Sequence, residues 1–292
     1  MTRTIAVGPT RTPGPIKRFA RRFARQPIAM FAVGLLVVLT LMAVLAPLIA
    51  THDPALQNLR ARNQGPSSGH WFGTDDIGRD LFSRMVYGAR TTLLAPVIAV
   101  TVGMVLGVPT GLLAGFKRGP IDAVLGRVAD ALLALPGLIV AMAIVAVRGP
   151  SMVNAMMAVG LNFAPRFFRV VRGTALAIRE ETFIDASRIA GASDTRLIRS
   201  HVLPNIAPPL IVQATIMLGV GVLAEAALSF LGVGVQPPQA TWGVLLRRGF
   251  DNLSEARYQS IPPGIAITVL ILAFQWVGDG LRDSLGREVR RG

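Results

Sequence analysis

Apolar residues run along this chain in long unbroken blocks and do not alternate with polar ones. Residues 28–50, 91–116 and 258–278 carry no charged side chain over 23, 26 and 21 positions. About 20 helical residues cross a hydrocarbon core of roughly 30 Å, so each block predicts a transmembrane helix. Residues 124–147 predict another, with Arg127 and Asp130 near its entry, and 206–231 a further one that carries Glu225 inside it. The last is 151–171, whose first 15 residues, ending at Pro165, are free of charge. Its Arg166 and Arg169 are expected to snorkel to the headgroups. The pattern therefore predicts an all-α polytopic membrane protein with six transmembrane helices. The first block follows a basic stretch, "RTPGPIKRFARRFARQP", but is too long for the core of a cleaved signal peptide and reads as a retained anchor.

Between the blocks, 74–90 places Ile77, Leu81, Phe82, Met85 and Val86 on one helical side and Arg79, Asp80 and Arg84 elsewhere, the pattern of an interfacial elbow helix. In 235–253, Pro237–Pro238 rules out continuation of the preceding helix, and Trp242 suggests an anchor at the membrane interface. Gly103, Gly107, Gly111 and Gly115 recur every fourth residue and form a smooth stripe for close helix packing. Asp130, three residues after Arg127, suits a local ion pair. A charge such as Glu225 costs roughly 2.5–3.5 kcal/mol within a bilayer on insertion scales. It should face protein or a watery cavity, either as a hydrogen-bonded gate or in contact with solute.

Composition fits this reading, with 52% hydrophobic and 16% charged residues. The net charge of +14 raises a nucleic-acid partner, which its distribution argues against. Seven Lys and Arg precede residue 28, three lie in 117–127, seven in 166–199 and four in 282–291, 21 in all, against nine on the opposite side. This is the positive-inside bias, and it places both termini and the 166–205 segment in the cytoplasm. With no cysteine, thiolate chemistry and disulfides are excluded. The only lysines, Lys17 and Lys117, stand in "GPIKR" and "AGFKRG", neither of them a phosphate-cradling loop. His52, His70 and His201 are scattered, with no H-E-x-x-H or G-x-S-x-G. The chain predicts no enzymatic activity of its own, and energy for transport should come from a partner.

One polar stretch stands out, "REETFIDASRIAGASDTRLIRSHVLPN". Glu180 and Glu181 favour a helix start, Phe183, Ile184, Ala186 and Ile189 leave a small apolar face, and Gly191 suits a left-handed C-terminal turn. Ser193 or Asp194 can cap a second short helix that Pro204 should stop before the next span. Two short helices joined by a glycine turn make a rigid protrusion suited to docking.

The spacing of "DASRIAG" and of Leu203–Pro204, twelve positions on, resembles the EAA loop of bacterial ABC importer permeases. That resemblance implies that Asp185, Ala186, Ser187, Gly191, Leu203 and Pro204 couple this chain to a cytoplasmic ATPase, the acid meeting a basic group. Asp185 stands where Glu is usual and Ser187 where the second Ala is usual. "HWFGTDDIGRDLFSRMVYGARTTL", "GVPTGLLAGF", "AEAALSFLGVGVQPP" and "GDGLRDSL" are further similar to the C-type permease of dipeptide and oligopeptide importers, whose relatives include nickel and glutathione importers. The resemblance implies a type I ABC importer permease fold in the bacterial inner membrane. It implies a tail, first helix and external linker over 1–90, a five-helix permease core over 91–280 with the loop at 180–204, and a cytoplasmic tail over 281–292. The implied partners are a second permease, two ATP-binding subunits or one fused ATPase, an extracytoplasmic binding protein and membrane lipid, with no nucleic acid. ATP and Mg²⁺ would be used by the ATPase, and no cofactor or metal is expected on this chain. Residues 74–90 and 235–253 are the two candidate footprints for the binding protein. The rival reading is a stand-alone ion-coupled carrier, which leaves the 180–204 loop without a task.

The arginine bias generates a direct test. A reporter fused after residue 190 is expected to be cytoplasmic and one in 235–255 external; finding both on one side of the membrane would sink the six-span topology.

Overall fold

The computed structural model describes residues 14–289. The basic tail through residue 13 and the last three residues of the C-terminal tail lie outside the described residues. The described residues are helical, with no strand. They begin with α1 (Pro15–Phe23), α2 (Pro27–Val44) and a short α3 (Ala46–Ile49). An irregular connector leads to α4 (Leu81–Lys117), followed by α5 (Pro120–Ala134), α6 (Gly137–Arg148) and α7 (Met152–Arg179). Next come α8 (Thr182–Ile189), α9 (Asp194–Leu197), α10 (Leu203–Phe230), α11 (Trp242–Asp251) and α12 (Ile261–Val289).

Four helical stretches are long and apolar enough to cross a membrane: Pro27–Val44, Leu81–Lys117, Asp194–Phe230 and Arg257–Leu285. The pair α5 and α6 makes a fifth if counted as one crossing, although the two meet at 90°. The expected straight helix over 124–147 is therefore broken. Leu135 precedes Pro136 and takes extended angles, φ −85° and ψ 136°, because the proline ring disfavours helical backbone at the residue before it. Where the sixth span is expected, α7 runs 28 residues, well past 171, and carries Arg166, Arg169, Arg172 and Arg179.

Two of those arginines find acids. Arg169 lies 2.6 Å from Asp130, so Asp130 pairs across to α7 and not with Arg127 on its own helix. Arg172 holds both oxygens of Asp122, its Nη2 donating to Oδ2 at 2.7 Å, a planar fork matched to a carboxylate. The elbow helix expected over 74–90 is also revised. Residues 74–80 form a turn, and α4 opens at Leu81 and runs without interruption into the apolar block. Asp80 starts it by accepting the Ser83 amide at 2.8 Å.

The glycine stripe of α4 faces α7. A Cβ on Gly107 would stand 2.4 Å from the Ala164 carbonyl oxygen, and one on Gly111 2.7 Å from that of Phe168. At Gly103 and Gly115 it would meet Phe163 Cβ and Ala175 Cβ at 2.8 Å. The approach is mutual, since a Cβ on Gly160 of α7 would sit 2.7 Å from the Ala99 carbonyl oxygen. Around this contact lies a core of Ala95, Ala99, Val100, Met156, Val159, Phe163 and Phe167, joined by Met217 and Leu228 of α10. α10 approaches α4 where a Cβ on Gly221 would meet that of Pro96 at 2.8 Å. A second cluster joins α4, α10, α11 and α12 through Leu81, Ala89, Val222, Trp242, Leu270 and Phe274. α2 packs on α12, where Gly280 leaves room for Ala29 and Gln26 donates to Ser284 at 3.2 Å.

Gly107→Leu and Gly111→Leu are expected to abolish recovery of monodisperse protein from detergent, because backbone stands where the side chain must go. Gly34→Leu, with nothing within 4 Å of its Cβ position, should purify as wild type. Equal recovery of all three would remove the packing argument.

Candidate functional site

The 180–204 segment folds as two short helices around a glycine turn. Gly191 has φ +83°, a left-handed conformation that a β-branched side chain resists. Its amide closes on the Arg188 carbonyl at 2.9 Å, and Ala192 N–H returns to the Ser187 carbonyl at 3.0 Å. Ser193 caps α9 by accepting the Arg196 amide. Pro204 does not stop the second helix. α9 passes through a π turn at Ile198–Val202 straight into α10, where Pro204 occupies the first turn. The π turn widens the helix just before Pro204, which accommodates a residue with no N–H to give to the preceding turn.

The protrusion is rooted from below. Ile184, Leu197 and Val202 are wholly buried and join Phe116 of α4, Val171 and Ala175 of α7 and Ile206 of α10 in one apolar cluster. Arg179 donates to the Phe116 carbonyl and Arg118 pairs with Glu180, tying the ends of α4 and α7 to the loop. The Phe183 and His201 rings meet at a tilt with centroids 5.4 Å apart, joining α8 to the π turn. The outer side is free. Asp185, Ala186, Gly191, Leu203 and Pro204 are exposed, as is Ile189 at 88%. Ser187, half-buried, donates to the Phe183 carbonyl at 2.8 Å. Asp185 has only Arg188 near it, at 3.8 Å on an open surface where such a pair contributes little. A solvated acid thus stands beside exposed apolar side chains on a firm base.

Glu225 lies far from this loop, near the other end of α10. It is 1% exposed, Ser229 donates to it at 2.7 Å, and Thr241, the cap of α11, lies close by. The glycine stripe belongs to neither place and lies along the α4–α7 contact.

The end opposite the loop holds buried charges that periodicity missed. Asp75 accepts the amides of Ile77 and Arg79 at 3.1 and 3.0 Å and the Arg79 Nε at 2.8 Å. Arg84 is fully buried, its Nη1 donating to the Pro54 carbonyl at 3.1 Å and its Nε 3.7 Å from Asp75. Burial pushes the Asp80 carboxyl up, yet Ser83, the His70 ring and the charge of His52 together hold it below the ordinary carboxylate value. The segment after α11 closes over the group, with Gln259 donating to Asn63 and to the Thr74 carbonyl, each at 2.9 Å. Trp242, expected at the membrane interface, is wholly buried. Its indole N–H donates to the Met85 carbonyl at 2.9 Å and its amide to Thr92 at 3.1 Å. The only hint in the sequence was the punctuation of "TDDIGRD", whose Gly78 has φ +77° and room for no Cβ beside the Asn58 carbonyl.

Long apolar helices packed through glycines define a multi-pass membrane protein, and its likeness to known proteins makes it an inner-membrane component of a transport system with the fold of type I ABC importer permeases. The chain belongs to the family of binding-protein-dependent transport system inner membrane components, whose model matches residues 107–291. A second model, the N-terminal TM domain of oligopeptide transport permease C, matches 14–66. The dipeptide transport system permease protein DppC of Alkalihalophilus pseudofirmus is 42% identical over 88% of this chain and 86% of its own. The glutathione transport system permease protein GsiD of an Escherichia coli strain is 40% identical over 97% and 94%. Among solved structures, an inward-facing conformation of the MetNI methionine ABC transporter matches with TM-score 0.59 and 21% identity, covering 70% of this chain and 97% of that one.

Asp75→Ala strands Arg79 and Arg84 in the interior and is expected to cost about 3–5 kcal/mol. Arg248→Met, which removes a half-exposed partner of Asp76, should cost at most about 1 kcal/mol. Thermal unfolding of the detergent-purified subunit checks both, and equal midpoints for the two variants would refute the ranking.

Proposed function

We propose that this chain is one half of the translocation pathway of an ATP-driven importer of short peptides, moved by a separate ATPase that docks on the 180–204 loop. The observation that carries the reading is the loop itself: exposed outside, rooted in buried side chains of α4, α7 and α10, and continuous with α10. A push on α8 is carried into the spans because Ile184, Leu197 and Val202 have no room to slide. The acid at Asp185 suits a basic group on the ATPase.

ATP and Mg²⁺ belong to that partner in this reading, and the chain contributes no catalysis. Both termini and the loop lie in the cytoplasm. The apolar faces of α5 and α6, with Val124, Val128, Ile139 and Val147 exposed, suit a second permease and lipid. The opposite end, around the connector and α11, receives solute from an extracytoplasmic binding protein. Glu225, tucked under α11 beside Ser229 and Thr241, acts as a gate element. Short peptides follow from the dipeptide permeases among the relatives, and the glutathione permeases favour a second reading, glutathione, itself a small peptide.

The test uses the chain assembled with its ATPase, second permease and binding protein in vesicles. Asp185→Lys places a positive charge before a basic partner, and Gly191→Val strains a left-handed turn. Each is expected to leave insertion intact while peptide uptake and solute-stimulated ATP hydrolysis fall together, by tenfold or more in the double variant, about 1.4 kcal/mol of coupling. Full ATP-driven uptake by the double variant with the ATPase retained would falsify the coupling role.

A further inference from the structure

The end of α4 away from the loop carries a cluster that transport does not use. His52 follows α3, His70 lies near the end of the connector, and Asp80 caps α4; one donor atom from each comes within 4.8 Å of the others. His70 Nδ1 is 2.9 Å from Asp80 Oδ1, and His52 Nδ1 is 3.9 Å from the same oxygen. The two imidazole rings lie with centroids 4.8 Å apart.

We propose that His52, His70 and Asp80 bind a divalent transition-metal ion of the Zn²⁺ type, which staples the connector to the start of α4. The donor set favours this class, since two imidazole nitrogens and one carboxylate suit Zn²⁺ and its neighbours, whereas Mg²⁺ and Ca²⁺ take oxygen. Donors around a tetrahedral Zn²⁺ with bonds of about 2.0–2.1 Å lie roughly 3.3 Å apart. The separations of 2.9 and 3.9 Å to Asp80 straddle that value, and with all three donors within 4.8 Å of one another the two rings would draw together on the ion.

The surroundings are built for a ligand set. Asp80 divides its oxygens: Oδ2 accepts the Ser83 amide at 2.8 Å and the Thr51 hydroxyl at 3.3 Å, which leaves Oδ1 aimed at the two rings. Those outer contacts fix the carboxylate as second-sphere groups do at metal sites. Exposure is graded across the cluster, 39% for the His52 side chain, 22% for His70 and 1% for Asp80, so an ion has an entry path and a buried anion waiting at its end. A shallow pocket lined by Thr51, His52, Asp53, Pro54 and Tyr87 lies beside the His52 ring and gives it access to solvent. Binding would cross-link three segments that already meet through hydrogen bonds.

The experiment is Zn²⁺ titration of the purified full transporter carrying no polyhistidine tag, in competition with a chromophoric chelator, with Co²⁺ substitution as a spectroscopic report of nitrogen and oxygen ligands. Loss of an outer-sphere partner costs about 10–100-fold in metal affinity, so loss of a ligand should cost at least about tenfold. One Zn²⁺ per copy of this chain is expected in the wild type, weakened by that factor in His52→Ala and in His70→Ala. His201→Ala, at the opposite end of the fold, should bind as wild type. Zn²⁺ should also slow trypsin cleavage at Arg60 and Arg62 of the connector in wild type and not in the double variant His52→Ala/His70→Ala. Wild-type affinity no greater than that of the double variant would overturn the proposal, as would equal binding by all the proteins.

Discussion

The backbones of α4 and α7 approach more closely than side chains allow, and the rest of the molecule is arranged around that contact. In a bilayer the apolar faces of helices gain nothing by leaving lipid for one another, so short-range packing must hold them together. Four glycines on α4 answered by Gly160 on α7 give that packing its range. Two apolar clusters draw on the same pair. Phe163 and Phe167 centre the core between the helices, and Phe116 with Val171 and Ala175 forms the floor beneath the 180–204 loop. A side chain inserted between the helices would lift that floor as well as open the core.

At the other end of α4 polar groups replace glycines as the organising element. Asp75, Arg79, Asp80 and Arg84 are all nearly inaccessible, an arrangement whose desolvation is offset only while each keeps its partners. Backbone amides and the Pro54 carbonyl supply them, and the Gln259 amide, donating to the Thr74 carbonyl beside them, draws the segment after α11 onto the same helix start. Trp242 adds a buried donor to the Met85 carbonyl, so α11 is held by a hydrogen bond as well as by apolar area. The folded end is therefore specified by complementarity among segments distant in sequence.

That division explains what could be read from the chain and what could not. The spacing of Gly103 to Gly115 is a local period, and it sufficed to mark a packing face; Gly191 and Ser193 are local turn and cap signals, and the turn forms where they stand. Arg84 and Trp242 are residue types usually found with a solvated tip, and only the positions of Asp75, Pro54 and Met85 make their burial tolerable. Asp130 met its nearest neighbour in sequence on paper, yet the fold sets Arg169 of α7 in reach. Leu135–Pro136 was hidden in a hydrophobic run that composition reads as continuous, whereas backbone sterics turn the chain by a right angle there. Pro204 misled in the opposite sense, because a proline that ends one helix and one that begins the next look alike in sequence.

The unbroken passage from α9 through the π turn into α10 has a mechanical consequence. Asp194–Phe230 forms a single stretch of 37 residues, roughly 55 Å from end to end. A rod of that length pivoting at one end by about 5° carries its far end through roughly 5 Å, close to one helical turn. Had Pro204 ended the second short helix, an intervening hinge would have absorbed such a tilt. As built, a small rotation beside Gly191 reaches Glu225 and the seat of α11 as a displacement wide enough to exchange one set of side-chain neighbours for another.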